Sequence, residues 1–446
     1  MKTLVTNIHV LTMDADFNEY SSGYILFEDQ LILETGSMLD APLDLDITVI
    51  DGEGAIALPG MVNTHTHIGM IPFRSLGDDT PDRLTRFLFP LENACMTKEL
   101  AYHSGKYAIA EMQLAGITTF LDMYYFEDEL AKATDEMGSR AILGETILEN
   151  ACDVTEPFGG LAYSETFISK WIGHERITPA IAPHAPYTNT DSSLKEASRI
   201  ARKYDVPFTI HLSEMDFEMR KYADEHGKTP VAYLADLGVL DEKVIAAHGI
   251  FFTDEDIEIL KNNKVAVAHC IGANTKSAKG VAPVQKMLEA GLRLGLGTDG
   301  PSSGNTLDLF TQMRMFANFH KTTLKDRSAF PARDIVRLAT IGGAEAIGLD
   351  HQIGSLEKGK KADFVLVETD SVNMFPIFDA YSALVYSANS GNVRDVIIDG
   401  KQVVKEKQLT QQELTVLRTN INNQMTHFRE VALDLKKYKN DSDRSV

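Results

Sequence analysis

Cysteine is scarce in this sequence, with three in 446 residues. Cys95, Cys152 and Cys270 lie far apart, are odd in number and lack the paired spacing of a zinc knuckle or a redox dithiol. They read as reduced thiols and exclude a disulfide-stapled scaffold. Positive charge is in deficit too, 43 Lys and Arg against 64 Asp and Glu, for a net charge of −21. Such a field repels phosphate backbones and anionic membrane surfaces, which argues against nucleic acid as a partner. No apolar run reaches the roughly 18 residues that span a bilayer. Met1 to Met13 alternates apolar and polar residues, without the basic region or unbroken apolar core of a signal peptide. No membrane association is expected, and a cytoplasmic location follows. Solenoid repeats and low-complexity segments are missing as well.

What is present is length and a recurring pattern. The chain is long enough for an α/β barrel of about 250 to 300 residues plus a smaller domain. Its 44% hydrophobic and 24% charged residues are ordinary for a globular protein and leave little room for long disorder. Eight short apolar or β-branched runs each end abruptly in a polar, mostly ionisable residue: Leu58 to His65, Ile117 to Asp122, Ala141 to Glu145, Ile177 to His184, Val206 to His211, Val244 to His248, Lys264 to His269 and Leu292 to Asp299. Helical patterns fill the intervals, among them Thr97 to Ala115, Ser192 to Tyr204, Pro230 to Leu237, Asp254 to Asn262 and Pro283 to Ala290.

Eight βα units predict a closed (β/α)8 TIM barrel, whose reactive groups gather where the strands end. Solvated loops put some polar residues after strands in any α/β protein, yet five histidines at five strand ends exceed that need. The first 57 residues and the stretch Lys361 to Lys407 alternate like short strands, with turn signals at Asp51-Gly52 and at Asp399-Gly400 in a predicted hairpin. The predicted organisation is a composite β-sandwich from 1–57 and 353–407 beside a barrel over 58–352. A helical extension follows over 408–446, Gln408 to Lys439 being helical and the remainder a charged tail.

His65-Thr66-His67 follows Pro59-Gly60 and a strand-like run. Side chains i and i+2 of an extended chain point the same way, so both imidazoles can grip one ion. A lone His-x-His arises often by chance, but His211 and Asp299 end two other barrel strands. Together they would complete a three-His, one-carboxylate set with a position left for water. Glu214, three residues beyond His211, is placed as a general acid/base, the plain alternative being a solvated loop carboxylate. His248 is placed to orient the attacking hydroxide or, alternatively, to be a hydrogen-bonded core residue. His184 is a candidate for hydrogen bonding to substrate or for orienting neighbouring ligands. His269, with the loop Gly272 to Lys276, reads as structural capping rather than direct chemistry.

Pro59-Gly60-Met61-Val62-Asn63-Thr64-His65-Thr66-His67, Pro183-His184-Ala185-Pro186-Tyr187-Thr188, His211-Leu212-Ser213-Glu214, Ala247-His248-Gly249 and Gly295-Leu296-Gly297-Thr298-Asp299-Gly300 together resemble the amidohydrolase superfamily. Within it the chain is most similar to the branch of methylthioadenosine/S-adenosylhomocysteine deaminases and triazine chlorohydrolases. The likeness covers nearly the whole chain, including Gly354 to Asp363. It implies that His65, His67, His211 and Asp299 bind one divalent metal, zinc first and Fe2+ or Mn2+ as alternatives. It implies further that Glu214 moves protons to a ring nitrogen, that His248 assists the hydroxide, and that Asp299 takes the proton from water and passes it to the leaving ammonia. His184 stands where binuclear members carry a carbamylated lysine, which points to a single metal.

The resemblance gives Glu92, in Phe89-Pro90-Leu91-Glu92, the role of holding ribose hydroxyls. Three departures fall where adenosine specificity lies in that family. The tryptophan expected shortly before Glu92 is replaced by Pro81-Asp82-Arg83-Leu84, and the only tryptophan is Trp171. Gly144-Glu145-Thr146 stands where arginines are expected, and Cys270-Ile271-Gly272-Ala273-Asn274 where a proline and a serine are usual. These departures point away from adenosine itself. The expectation is therefore a metal-dependent hydrolytic deaminase of an aminated nitrogen heterocycle: a purine, nucleoside, pterin or related ring. The same site expelling another group, as chlorohydrolases do, is the alternative. A catalytically silent binding barrel is the third reading, against which the intact ligand set with Glu214 and His248 argues. The partners expected are a small heterocyclic substrate and further copies of the chain, a homodimer or larger.

Overall fold

The computed structural model describes residues 2–42 and 47–442. The chain opens with β1 (Lys2–Leu11), β2 (Glu19–Glu28), β3 (Leu31–Ser37) and β4 (Thr48–Pro59). β1 runs antiparallel to β2 and parallel to β4. Asp51-Gly52 does not reverse the chain. It lies inside β4 at a bulge, where the register with β1 jumps from Thr6–Asp51 to Ile8–Ala55. The bulge is stabilised locally, because Asp51 Oδ1 accepts from Asn7 Nδ2 at 3.0 Å and from the Glu53 amide at 2.8 Å.

The chain changes sheets at Gly60. Leu58 and Pro59, read above as the start of a barrel strand, pair instead with Val365 and Phe364 of the small domain. A Cβ at Gly60 would stand 2.0 Å from the Thr118 hydroxyl oxygen, so the crossing needs a residue without a side chain.

Eight parallel strands then follow in sequence order: β5 (Met61–Thr66), β6 (Ile117–Tyr124), β7 (Arg140–Ile147), β8 (Ile177–Pro183), β9 (Phe208–Leu212), β10 (Val244–His248), β11 (Ala266–His269) and β12 (Leu294–Leu296). Helices such as Lys98–Leu114, Asp191–Tyr204 and Asp254–Asn262 connect them. Just beyond β12 the barrel closes on β5. The Asp299 amide donates to the His65 carbonyl at 3.0 Å, and the Asn63 side chain holds both the amide and the hydroxyl of Thr298. Val62, Leu121, Ile142, Ala180, Ile245 and Ala266 belong to one buried cluster. Fully burying a valine, leucine or isoleucine among them contributes roughly 1.5–3 kcal/mol. That packing holds the strands in order while their C-terminal ends carry polar groups.

The small domain resumes with β13 (Phe364–Val367), β14 (Val393–Ile398), β15 (Lys401–Lys405) and β16 (Gln408–Leu409). Asp399 and Gly400 turn the β14–β15 hairpin with φ of 53° and 73°. The two terminal segments form one hydrogen-bonded ladder, β16-β15-β14-β13-β4-β1-β2-β3. It docks against the start of β7. There the buried Arg140 guanidinium reaches Asp363 at 2.9 Å and Asp399 at 3.3 Å, at the end of the barrel away from the histidine-bearing strand ends.

The predicted helix from Gln408 begins later. Residues 408–409 add an edge strand after a turn in which Glu406 and Lys407 both take positive φ, and helices follow at Leu414–Gln424 and Thr426–Ser442. The charged tail beyond Ser442 lies outside the described residues. The last helix packs its Phe428 ring 4.8 Å from that of Phe73, beneath the segment that follows His67. No helix among the described residues is long and apolar enough to cross a membrane.

Candidate active site

The strand ends bring four imidazoles and a carboxylate to one point. The ring of His65 lies 4.8 Å from His67, 4.9 Å from His211 and 5.5 Å from His248. Asp299, from the turn after β12, places Oδ1 3.2 Å from His67 Nε2 and 4.0 Å from His65 Nε2. Asp299 and His248 both adopt positive φ, 59° and 75°. Their side chains therefore sit on strained turns held by the surrounding bonds, as functional residues often do.

The chemistry of these donors fits a bound cation. His67 Nδ1–H donates to the Met123 carbonyl at 2.5 Å and His211 Nδ1–H to the His184 carbonyl at 2.6 Å. Those acceptors fix the tautomers and leave two Nε2 lone pairs facing each other at 3.3 Å. His65 is fully buried, with neither ring nitrogen hydrogen-bonded. Facing lone pairs and an orphaned imidazole are costly unless a positive ion lies between them. Two donor sets, His65-His67-His211 and His65-His248-Asp299, each gather within 4.8 Å. Burial lowers the pKa of His67, but the hydrogen bond to Asp299 and its charge outweigh this and raise it to about 9, so a proton and a metal ion compete for the same Nε2.

Glu214 stands at the rim. Its Oε1 is 3.7 Å from His248 Nε2 and 2.5 Å from the Lys279 ammonium. Burial pushes the Glu214 carboxyl up, but His248 and then Lys279 more than compensate and hold it at about 2. The carboxylate is thus ionised at neutral pH. His248 Nδ1 bonds Asn274 Oδ1 at 2.9 Å, which aims Nε2 into the site.

These groups floor a cavity of about 460 Å³, a size suited to a small organic ligand. Glu92 and His184 share one wall of it with Tyr124 and Tyr125. Burial raises the Glu92 carboxyl to about 7 and lowers His184 to about 4. The backbone of His184 steadies His211, while its ring faces the cavity. Leu84, Leu88 and Phe89 line the wall where a tryptophan was expected. Glu145 is buried out of the cavity and accepts from the Glu127 amide.

His269 does not reach the cavity. Its Nε2 lies 3.0 Å from His320 Nε2, inside the protein. The loop after it contributes more than capping, because Asn274 orients His248 and Lys279 meets Glu214. Sequence reasoning passed over Lys279, which no spacing or motif marks. Asn274 stands out in the sequence as part of a capping loop and of a departure from the family pattern, not as a partner of His248.

The Amidohydrolase family model matches residues 56–403. A 5-methylthioadenosine/S-adenosylhomocysteine deaminase of Syntrophobacter fumaroxidans is 37% identical over 437 residues, 97% of this chain and 98% of the relative. A 5'-deoxyadenosine deaminase of Methanosarcina mazei is 38% identical over 407 residues, 90% of this chain and 93% of the relative. Among solved structures, a zinc-bound adenosine deaminase from Xanthomonas campestris superposes with a TM-score of 0.93 at 29% identity, covering 96% of this chain and 98% of its own.

Proposed function

The chain belongs to the amidohydrolase family, and from that premise we propose that it hydrolytically deaminates an aminated purine nucleoside without an anionic tail, releasing ammonia. The observation that carries this reading is the convergence of His65, His67, His211 and Asp299 beneath Glu214, in a cavity with Glu92 on its wall. The relatives named above deaminate adenosine derivatives by name. The nucleoside reading rests on Glu92, and the uncharged tail on the cavity wall near β7, where Thr146 stands and no arginine does.

A divalent metal, zinc as in the Xanthomonas structure, held by His65, His67, His211 and Asp299, supplies the Lewis-acid activation of water that such a hydrolysis needs. The remaining steps belong to side chains. Glu214, ionised at rest, takes one proton from the attacking water and delivers it to the ring nitrogen beside the amino-bearing carbon. His248, fixed by Asn274, steadies the attacking oxygen. Asp299 passes the second proton to the departing amine, so one water supplies the ring N–H, the carbonyl oxygen and the third hydrogen of ammonia. Glu92 and His184 bind the sugar end of the substrate.

The net charge of −21 supports a small-molecule substrate without nucleic acid. We place the protein in the cytoplasm, as expected from the lack of a signal-peptide pattern or long apolar run, and as a homo-oligomer, as its resemblance to the family implies. The test is ammonia release by the zinc-reconstituted protein across aminated purines, their nucleosides, pterins, pyrimidines and triazines. Turnover of nucleosides above free bases supports the reading. A preference for free bases or another ring class removes the nucleoside assignment, and silence across the panel overturns deamination.

A further inference from the structure

Three cationic side chains line the cavity, and two of them are occupied elsewhere. Arg83 donates to the Leu76 carbonyl at 2.7 Å and lies 3.6 Å from Asp78. Lys276 holds Asp78 at 2.8 Å and Asn305 at 2.6 Å. Lys279 differs. Its ammonium has Glu214 as its one hydrogen-bond partner among the described residues, at 2.5 Å, and only 24% of its side chain is exposed.

The backbone presents Lys279 deliberately. Its amide donates to the Asn274 carbonyl at 3.0 Å, and the residues on either side, Ala278 and Gly280, both take positive φ. Asn274 therefore fixes two neighbours of Glu214 at once, His248 through its side chain and Lys279 through its carbonyl.

An ammonium carries three donors, and one of these is spent on Glu214. The others have no protein acceptor among the described residues, so an acceptor on a ligand in the cavity can take them. On the reading above, Glu214 serves a ring nitrogen at ordinary hydrogen-bond distance. With Nζ 2.5 Å from that same carboxylate, a substituent on the ring carbon flanking the nitrogen comes within reach of the ammonium. An oxygen there offers two lone pairs to the free donors, whereas a hydrogen offers none.

We propose that Lys279 determines specificity by binding an oxo group on the ring carbon next to the nitrogen that Glu214 serves, so that the preferred substrates are amino-oxo heterocycles. The inference rests on the deaminase reading and narrows it.

The test compares kcat/KM for ammonia release by the zinc-loaded enzyme on a matched pair, adenosine and its 2-oxo counterpart isoguanosine. Wild type should favour the oxo member by about ten- to a hundredfold, the discrimination expected when a buried charged donor meets or misses its acceptor. Lys279→Met should bring the ratio close to one, and Lys279→Arg should keep it above one. The ratio is taken within each variant, so a general loss of folded enzyme cancels. An unchanged ratio in Lys279→Met, or a wild-type preference for adenosine, overturns the proposal. If neither nucleoside reacts while other aminated rings release ammonia, the Lys279 assignment fails and deamination stands. If no ring releases ammonia, both fail.

Discussion

Asn274 Oδ1 lies 2.9 Å from His248 Nδ1. This bond sets which nitrogen of His248 faces the cavity, and it comes from a short helix, Ile271–Lys276. Replacing Asn274 with Ala frees the ring to rotate and leaves its Nδ1 unpaired. Activity should fall by about ten- to a hundredfold, the usual cost of losing such a support, with metal content unchanged. Full activity in the variant would show that His248 needs no positioning.

Glu214→Gln keeps the size of the side chain and removes its ability to take a proton. Turnover should drop on the order of a hundredfold or more, with metal retained. A near-normal rate would move the acid/base role to another group.

His67 shares its Nε2 lone pair with the point that His211 and Asp299 also face. His67→Ala should lower zinc content and activity together, measured by metal analysis on the purified protein. Adding zinc to stripped wild type should raise its melting temperature, since saturating the site a hundredfold above its Kd is worth about 2.7 kcal/mol. Full zinc occupancy in the variant would remove His67 from the ligand set.

Burial lifts Glu92 to about 7, and its ionised form accepts hydrogen bonds from two hydroxyls more strongly than the neutral acid does. For a nucleoside substrate, KM should therefore rise as pH falls through about 7. Glu92→Gln should flatten that dependence, and the corresponding free base should not show it. A pH profile identical for nucleoside and base would separate Glu92 from the sugar.

The buried His269–His320 pair makes a prediction about stability. Burial holds His320 at about 4 against 6.5 in an open chain, so the folded protein refuses a proton that the unfolded chain accepts. The stabilisation is complete above about pH 6.5 and is lost as pH falls toward 4. Over that window it amounts to roughly 2–4 kcal/mol. Melting temperatures between pH 7.5 and 5 should fall less steeply for His320→Gln than for wild type, and parallel slopes would refute the assignment.

Much of this protein is written in its sequence, for a physical reason that can be named. All eight barrel strands announce themselves as short buried runs, because a strand covered on both faces must be apolar along its length. Each run ends in a polar residue, and at His184, His211, His248 and Asp299 that is where the chain meets the cavity, whereas Glu145 and His269 turn into the protein. His65-Thr66-His67 and Asp399-Gly400 are equally legible, since strand period and turn chemistry act over a few residues. The point where β4 gives way to β5 is not, because both strands are apolar and only their partners differ. Nor is the β16 edge, which two residues form by pairing with β15. The site divides in the same way. The sequence alone determined which side chains stand at the strand ends. Tertiary structure decided that Asn274 orients His248, that the His184 carbonyl steadies His211, and that Lys279 touches Glu214 across 65 residues. Such contacts depend on how barrel closure brings separate loops together, and no local pattern encodes that distance.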